Sequence, residues 1–141
     1  MSLVFWDTML FIYWLEDHPV FGERVHRIFD GMQERGDTLC TSAFTIGEIL
    51  VAPLKEGESE TASKIMRLMQ PPFVRILSFT AETAVEFARI RARLPVSAAD
   101  AIQLACAAEA RVDLFLTHDR GLANKHVPGI QFVANLDVNL F

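Results

Sequence analysis

The sequence predicts an α/β fold: a three-layer α/β/α sandwich with a central parallel sheet of about five strands. Two features lead there. Short, bulky apolar runs alternate with segments of helical period from one end of the chain to the other, the pattern of strands joined by helical crossovers. Hydrophobic residues make up 51% of the 141, eleven of them Phe, which is enough to cover both faces of such a sheet. A third feature concerns placement. Four acidic residues, Asp7, Glu48, Asp100 and Asp119, punctuate or directly follow apolar runs, where a carboxylate needs a partner.

Leu3 to Trp6 is apolar and uninterrupted and reads as a short buried strand. A helix follows from about Thr8 to Glu16. Pro19 interrupts, and a second helix from about Val20 to Glu34 carries Val25, Ile28, Phe29 and Met32 at helical spacing. Gly36-Asp37 turns the chain into a strand at Thr38 to Thr41. The next helix spans about Phe44 to Val51 and is expected to stop near Pro53. Lys55-Glu56-Gly57-Glu58 is the most polar stretch and reads as an exposed loop. Ser59 to Met69 is helical, Pro71-Pro72 ends it, and Phe73 to Leu77 is a third strand. Ala81 to Leu94 and Ser97 to Ala110 are helices separated by Pro95. Asp113 to Leu116 and Gln131 to Val133 supply the last strands. In such a sheet, ligands bind at the carboxyl ends of the strands.

Composition narrows the classes of function. The length fits one domain over residues 1–141. The apolar stretch Leu3 to Leu15 is too short to span a bilayer, contains Asp7, and lacks the flanks of a signal peptide, so a cytoplasmic location without membrane association is expected. Cys40 and Cys106 lie in apolar contexts without CxxC spacing and read as buried free thiols. The net charge of -5 argues against holding nucleic acid by bulk electrostatics; a grip on it would be local or aided by metal ions.

Each acid has a purely structural role open to it. Asp7 is placed to cap a helix. Thr45-Ile46-Gly47-Glu48 and Ser97-Ala98-Ala99-Asp100 both fit a capping box, and Asp119 sits in a turn-like His118-Asp119-Arg120-Gly121. Together they suggest more. Asp7 and Asp119 follow predicted strands, Glu48 and Asp100 fall in the first turns of predicted helices, and all four can meet on one sheet edge. Clustered carboxylates repel unless divalent ions neutralise them, and all-oxygen ligands favour Mg²⁺ or Mn²⁺. Such an arrangement suits phosphodiester hydrolysis. A phosphatase on a similar sheet is the competing enzyme, but Asp7-Thr8-Met9 has no second Asp of a DxDxT-like start, and no P-loop or GxGxxG run is present.

Four segments resemble the PIN-domain ribonucleases, most closely the VapC-type toxins of toxin–antitoxin pairs. They are Val4-Phe5-Trp6-Asp7-Thr8, Thr45-Ile46-Gly47-Glu48-Ile49-Leu50, Ser97 to Ala105 around Asp100, and Leu116-Thr117-His118-Asp119-Arg120-Gly121-Leu122. The resemblance implies a PIN-like fold and metal-dependent endoribonuclease cleavage of RNA that leaves 5′-phosphate and 3′-hydroxyl ends. Asp7, Glu48, Asp100 and Asp119 would be the catalytic and metal-binding acids, with Mg²⁺ or Mn²⁺ as cofactor and Thr117 supporting them through its hydroxyl. It further implies a homodimer and a cognate antitoxin whose tail enters the active-site groove. Arg120 and Lys55 are candidates for contact with substrate. Two positions depart from the family pattern: Met9, where Asn or Ser is frequent, and His118, where Asn is frequent. A catalytically degenerate PIN-like domain that binds RNA or a protein partner is the alternative.

Overall fold

The computed structural model describes residues 1–123 and 125–137. The strands are β1 (Leu3–Trp6), β2 (Thr38–Ser42), β3 (Arg75–Leu77), β4 (Leu114–Thr117) and β5 (Phe132–Asn135). They form one sheet in the order β3-β2-β1-β4-β5, and every neighbouring pair is parallel. The helices are α1 (Thr8–Leu15), α2 (Gly22–Arg35), α3 (Ala43–Lys55), α4 (Ser59–Leu68), α5 (Ala81–Arg93) and α6 (Ala98–Glu109).

Side chains alternate across β1 and so divide the core. Phe5 lies with Cys40, Phe115 and Val133 against α5 and α6, while Val4 and Trp6 lie with Leu39 and Leu116 against α1 to α4. Phe5 and Phe115 stack at 4.8 Å across β1 and β4. Trp6 meets Phe11, Trp14 and Phe29 at 5.2, 6.1 and 6.2 Å. Phe11 and Tyr13 are buried in this same half of the core. Each large side chain buried this way contributes about 1.5–3 kcal/mol relative to exposure.

The strand order fixes where a site can form. From β1 the chain steps outward through β2 to β3, then crosses to β4 on the other side of β1 and on to β5. The order therefore reverses between β1 and β4, and a crevice opens beyond their carboxyl ends. Asp7 and His118-Asp119 directly follow those two strands. α6 reaches the same edge by a different route from the one the sequence suggested, since it follows α5 and not a strand. The two helices run antiparallel, with Thr83 near the start of α5 donating to Glu109 at the end of α6 at 2.6 Å. α5 thereby carries the chain back to the carboxyl edge before α6 begins.

Two local expectations are corrected. α3 does not stop near Pro53 but continues through it to Lys55. Pro53 sits in the last turn, where the missing N–H breaks one bond near a helix end and its ring is buried. Lys55 is accordingly the last residue of the helix and not part of a loop. The cap of α3 is also different. Ser42 is the N-cap, accepting from the Thr45 N–H at 3.3 Å, so Glu48 lies beyond the first turn and does not close a capping box.

Gly129 has φ +97°, and a Cβ there would meet the Ala108 carbonyl oxygen at 2.6 Å. Backbone strain and a clash with main chain combine at this position. Gly129→Ala is expected to destabilise the fold by about 3 kcal/mol, seen as a lower urea midpoint with an unchanged slope.

Candidate functional site

Acids at the two edges of the sheet are held in different ways, and at the carboxyl edge Asp137 is paired with Arg24 and Arg120. At the amino edge, Asp37 accepts from the Ser2 N–H at 2.8 Å and pairs with Arg35 at 2.7 Å, and Asp113 accepts from the Leu3 N–H at 2.7 Å. At the carboxyl edge, among the described residues, none of Asp7, Glu48, Asp100 and Asp119 forms an ion pair with a basic side chain.

Asp7 is the anchor. It caps α1, accepting from the Thr8 N–H at 2.8 Å, and its own N–H bonds the Leu116 carbonyl at 3.0 Å, which ties it to the end of β4. Its second oxygen accepts from the Thr117 hydroxyl at 2.9 Å. Thr117 is fully buried and also accepts the Asp119 N–H at 3.0 Å, so one hydroxyl orients the first acid and the backbone of the last. Burial pushes the Asp7 carboxyl above its ordinary range, and the nearby Glu48 charge adds to this. The bonds from Thr8, Thr117 and Gln103 oppose it.

Asp100 lies in the first turn of α6, with its N–H capped by Ser97 at 3.1 Å. Its carboxyl is also raised, first by burial and then by the charges of Asp7 and Asp119. Asp119 is exposed. Its side chain accepts the Gly121 N–H at 2.7 Å, and the missing Cβ of Gly121 leaves room for that approach. Glu48 accepts from the Thr8 hydroxyl at 2.6 Å. The four acids thus feel one another in sequence: Glu48 with Asp7, Asp7 with Asp100, and Asp100 with Asp119.

The donor set is chemically suited to a hard divalent cation: the carboxylates lie near enough to feel one another's charge, basic partners are lacking among the described residues, and hydroxyls hold Asp7 and Glu48 in place. The arrangement is open. Among the described residues no three acidic, His or Cys side chains already surround a single point.

The other candidates fall on either side of this centre. Arg120 is on the same turn as Asp119, but its guanidinium reaches Asp137 at 3.2 Å, which Arg24 also contacts at 3.1 Å. Lys55 is exposed and lies seven residues beyond Glu48, about 10 Å further along the axis of α3. The structure does not bring it to the acids. Arg89, from the basic run of α5, pairs with Glu86 at 2.6 Å. His118 is not an exposed turn residue. Its Nδ1 lies 2.6 Å from the Tyr13 hydroxyl, and its ring packs against Phe21 at 4.4 Å. Met9 is exposed on α1 and brings no polar group to the acids.

Sequence reasoning passed over the buried polar groups beneath the acids. Gln103 is 2% exposed, and its amide nitrogen lies 2.7 Å from the Thr45 hydroxyl, 3.1 Å from that of Thr8 and 3.5 Å from Asp7. Its oxygen is bonded by Ser42. The signal was available: Gln103 stands three residues after Asp100 within Ala101-Ile102-Gln103-Leu104-Ala105, an amide on an otherwise apolar helix face. Burial raises both thiols, Cys40 to about 12 and Cys106 to about 11, which leaves them unreactive core residues.

The family described as PIN domain matches residues 4–127. No curated protein matches the chain. Among solved structures, VapBC2 from Rickettsia felis bound to a promoter DNA fragment is similar at a TM-score of 0.74 and 14% identity, over 94% of this chain and 98% of that one. DNA-bound VapBC from Salmonella typhimurium is similar at 0.64 and 22% identity, over 96% and 99%. VapC20 of Mycobacterium tuberculosis, a toxin that cleaves the sarcin-ricin loop, is similar at 0.65 and 16%, over 79% and 86%. At these identities the likeness is one of fold.

The raised carboxyls give a signed prediction for the metal-free chain. A group whose folded pKa exceeds its unfolded value favours the native state while protonated, and that contribution is lost as pH rises through the folded pKa. For Asp7 and Asp100 the loss begins near the ordinary value of 3.8 and ends at the raised one. Asp7→Asn, which removes the buried charge, is therefore expected to raise the melting temperature at pH 7 in chelator. The gain should shrink as pH falls toward that ordinary range, and a gain that grows on acidification would contradict the account.

Proposed function

Because the chain belongs to the PIN-domain family, we propose that it is a divalent-metal-dependent endoribonuclease and the toxin of a toxin–antitoxin pair. One observation carries the reading: four mutually repelling acids at the topological switch point, held by hydroxyls and lacking basic partners among the described residues. A Mg²⁺ or Mn²⁺ ion bound there would lower the pKa of a water and offset charge on the phosphate.

The chain's own groups divide the remaining work. Asp7, Asp100 and Asp119 are the candidate ligands. Thr117 fixes the rotation of Asp7 and holds the turn that carries Asp119. Glu48, held by Thr8, is placed to ligate or to orient the attacking water. Arg120 is the better candidate for a substrate phosphate, because it is exposed beside Asp119; binding would require it to exchange Asp137 for RNA. Lys55 stands too far along α3 for a contact at the reacting phosphate and fits only a more distant part of the strand. An acidic chain that cuts RNA depends on such local contacts. The VapC20 toxin cleaves an RNA loop, and a structured single-stranded loop is the substrate class favoured here.

The partner reading has its own support. A groove of about 490 Å³ between α1, α3 and α4 is lined by the apolar Ile12, Leu15, Ile49 and Ile65 and by four acids, Glu16, Glu48, Glu56 and Glu58, against one base, Lys64. It suits the apolar, basic tail of an antitoxin, and Glu48 links it to the acidic site. A homodimer, a single PIN-like domain over residues 1–141 and a cytoplasmic location belong to the same reading. Among the described residues no helix is long and apolar enough to cross a membrane. The open spacing of the acids favours one alternative, a degenerate PIN-like domain that binds RNA or protein without cutting.

Purified chain with single-stranded and stem-loop RNA and Mg²⁺ or Mn²⁺ should cleave, chelator should abolish the cleavage, and Asp7→Asn and Asp100→Asn should each slow it at least about a hundredfold. Equal cleavage by all three proteins would remove the proposed site. Binding without cleavage at any metal concentration would establish the degenerate reading. Co-expression with the neighbouring reading frame should yield a complex that suppresses cleavage. Ala52→Arg, on the groove wall, is expected to weaken that complex about tenfold or more while RNA cleavage by the free chain persists.

A further inference from the structure

Five buried polar side chains lie beneath the acids: Thr8, Thr41, Ser42, Thr45 and Gln103. Each hydroxyl has one proton, and the Gln103 amide has two on nitrogen and none on oxygen. One arrangement satisfies these counts at every contact. The Ser42 hydroxyl donates to the Gln103 oxygen, while its own oxygen accepts the Thr45 N–H at the start of α3. That contact fixes which way the amide faces. One amide proton then points to the Thr45 hydroxyl oxygen at 2.7 Å, and the other to that of Thr8 at 3.1 Å, with Asp7 as its more distant second acceptor at 3.5 Å. With their oxygens accepting, both threonines must send their own protons elsewhere. Thr41 gives its proton to the Trp6 carbonyl at 2.8 Å, so Thr45 must donate to Thr41, also at 2.8 Å. Thr8 donates to Glu48 at 2.6 Å.

We propose that Gln103 is a positioning residue for the acidic site, acting through Thr8: its amide sets the direction of the buried protons so that Thr8 always presents a donor to Glu48. This rests on the metal-site reading above. The network has two ends, the Trp6 carbonyl and the Glu48 carboxylate, and only the second is chemically useful. An amide facing the other way would present its oxygen to Thr8 and Thr45, draw their protons inward and leave Glu48 without its hydrogen bond. Glu48 would then be free to rotate away from Asp7 toward the groove it also lines. Gln103 therefore contributes to the site without being a ligand, and it links α6, β2, α3 and α1 beneath it.

Mn²⁺ affinity, titrated on the purified chain by the electron spin resonance of free Mn²⁺, tests this without relying on activity. Gln103→Met, of similar size, is expected to weaken Mn²⁺ binding about tenfold while far-ultraviolet dichroism shows the chain folded. Thr8→Val should weaken it comparably, and Thr8→Ser, which keeps the hydroxyl, should not. The double variant Gln103→Met/Thr8→Val should be no weaker than its weaker parent, because the two substitutions break the same path. A folded Gln103→Met chain with wild-type affinity, or losses that multiply in the double variant, would overturn the proposal. If Gln103→Met does not fold, the two Thr8 variants decide, and equal affinity in Val and Ser overturns it. A wild-type chain that takes up no Mn²⁺ would remove the metal-site reading itself, a failure distinct from loss of coupling.

Discussion

Asp7 stands at the carboxyl end of the central strand, where burial and neighbouring negative charge both oppose ionisation. Most of the local architecture manages that opposition. The Thr8 N–H at the start of α1 and the Thr117 hydroxyl at the end of β4 each give Asp7 a donor, and the Gln103 amide dipole lies close by. Donors from three different elements hold one carboxylate without cancelling its charge. A Lys or Arg in the same place would have satisfied Asp7 and closed the site to a cation. The described structure instead makes its side-chain ion pairs at Glu23, Asp37, Glu86 and, on this same edge, Asp137, and leaves the four acids without one.

The sheet order makes that edge a crevice. Because the connections leave β1 and β4 in opposite directions, the space above their ends stays clear of crossovers. Helices α3 and α6 then flank it, α3 directly from β2 and α6 after the return through α5. Each brings a carboxylate, and each also brings buried polar groups: Ser42 and Thr45 around the cap of α3, Gln103 on α6. Thr8 and Thr117 hold the Glu48 and Asp7 carboxylates directly, and Gln103 bonds Thr8 from beneath.

Much of this was legible in the chain. Strand and helix alternation points to the parallel sandwich because crossover connections between parallel strands need helices, and the short apolar runs need cover on both faces of the sheet. Asp7 and Asp119 were placed correctly because position after a strand is a local property. Glu48 was placed less well. The sequence Thr45-Ile46-Gly47-Glu48 looks like a capping box, but Ser42 caps the helix because its hydroxyl lies closer to the strand end, and Glu48 is carried a turn further on. Pro53 suggested a stop that a proline in a final turn does not impose. Nothing in the local sequence announces that His118 meets a Tyr13 hydroxyl more than a hundred residues away.

The sequence by itself determined the elements and their parallel arrangement, and it singled out the four acids as candidates, since these follow from periodicity, chain connectivity and residue type. Tertiary structure alone decided that the four acids lie without basic partners among the described residues, that Arg120 pairs with Asp137 while Lys55 lies remote, and that Gln103 bonds the Thr8 hydroxyl beneath Glu48. Those facts depend on distances between elements remote in sequence, and hydrogen-bond direction is settled only when every donor in a buried cluster has been matched to an acceptor.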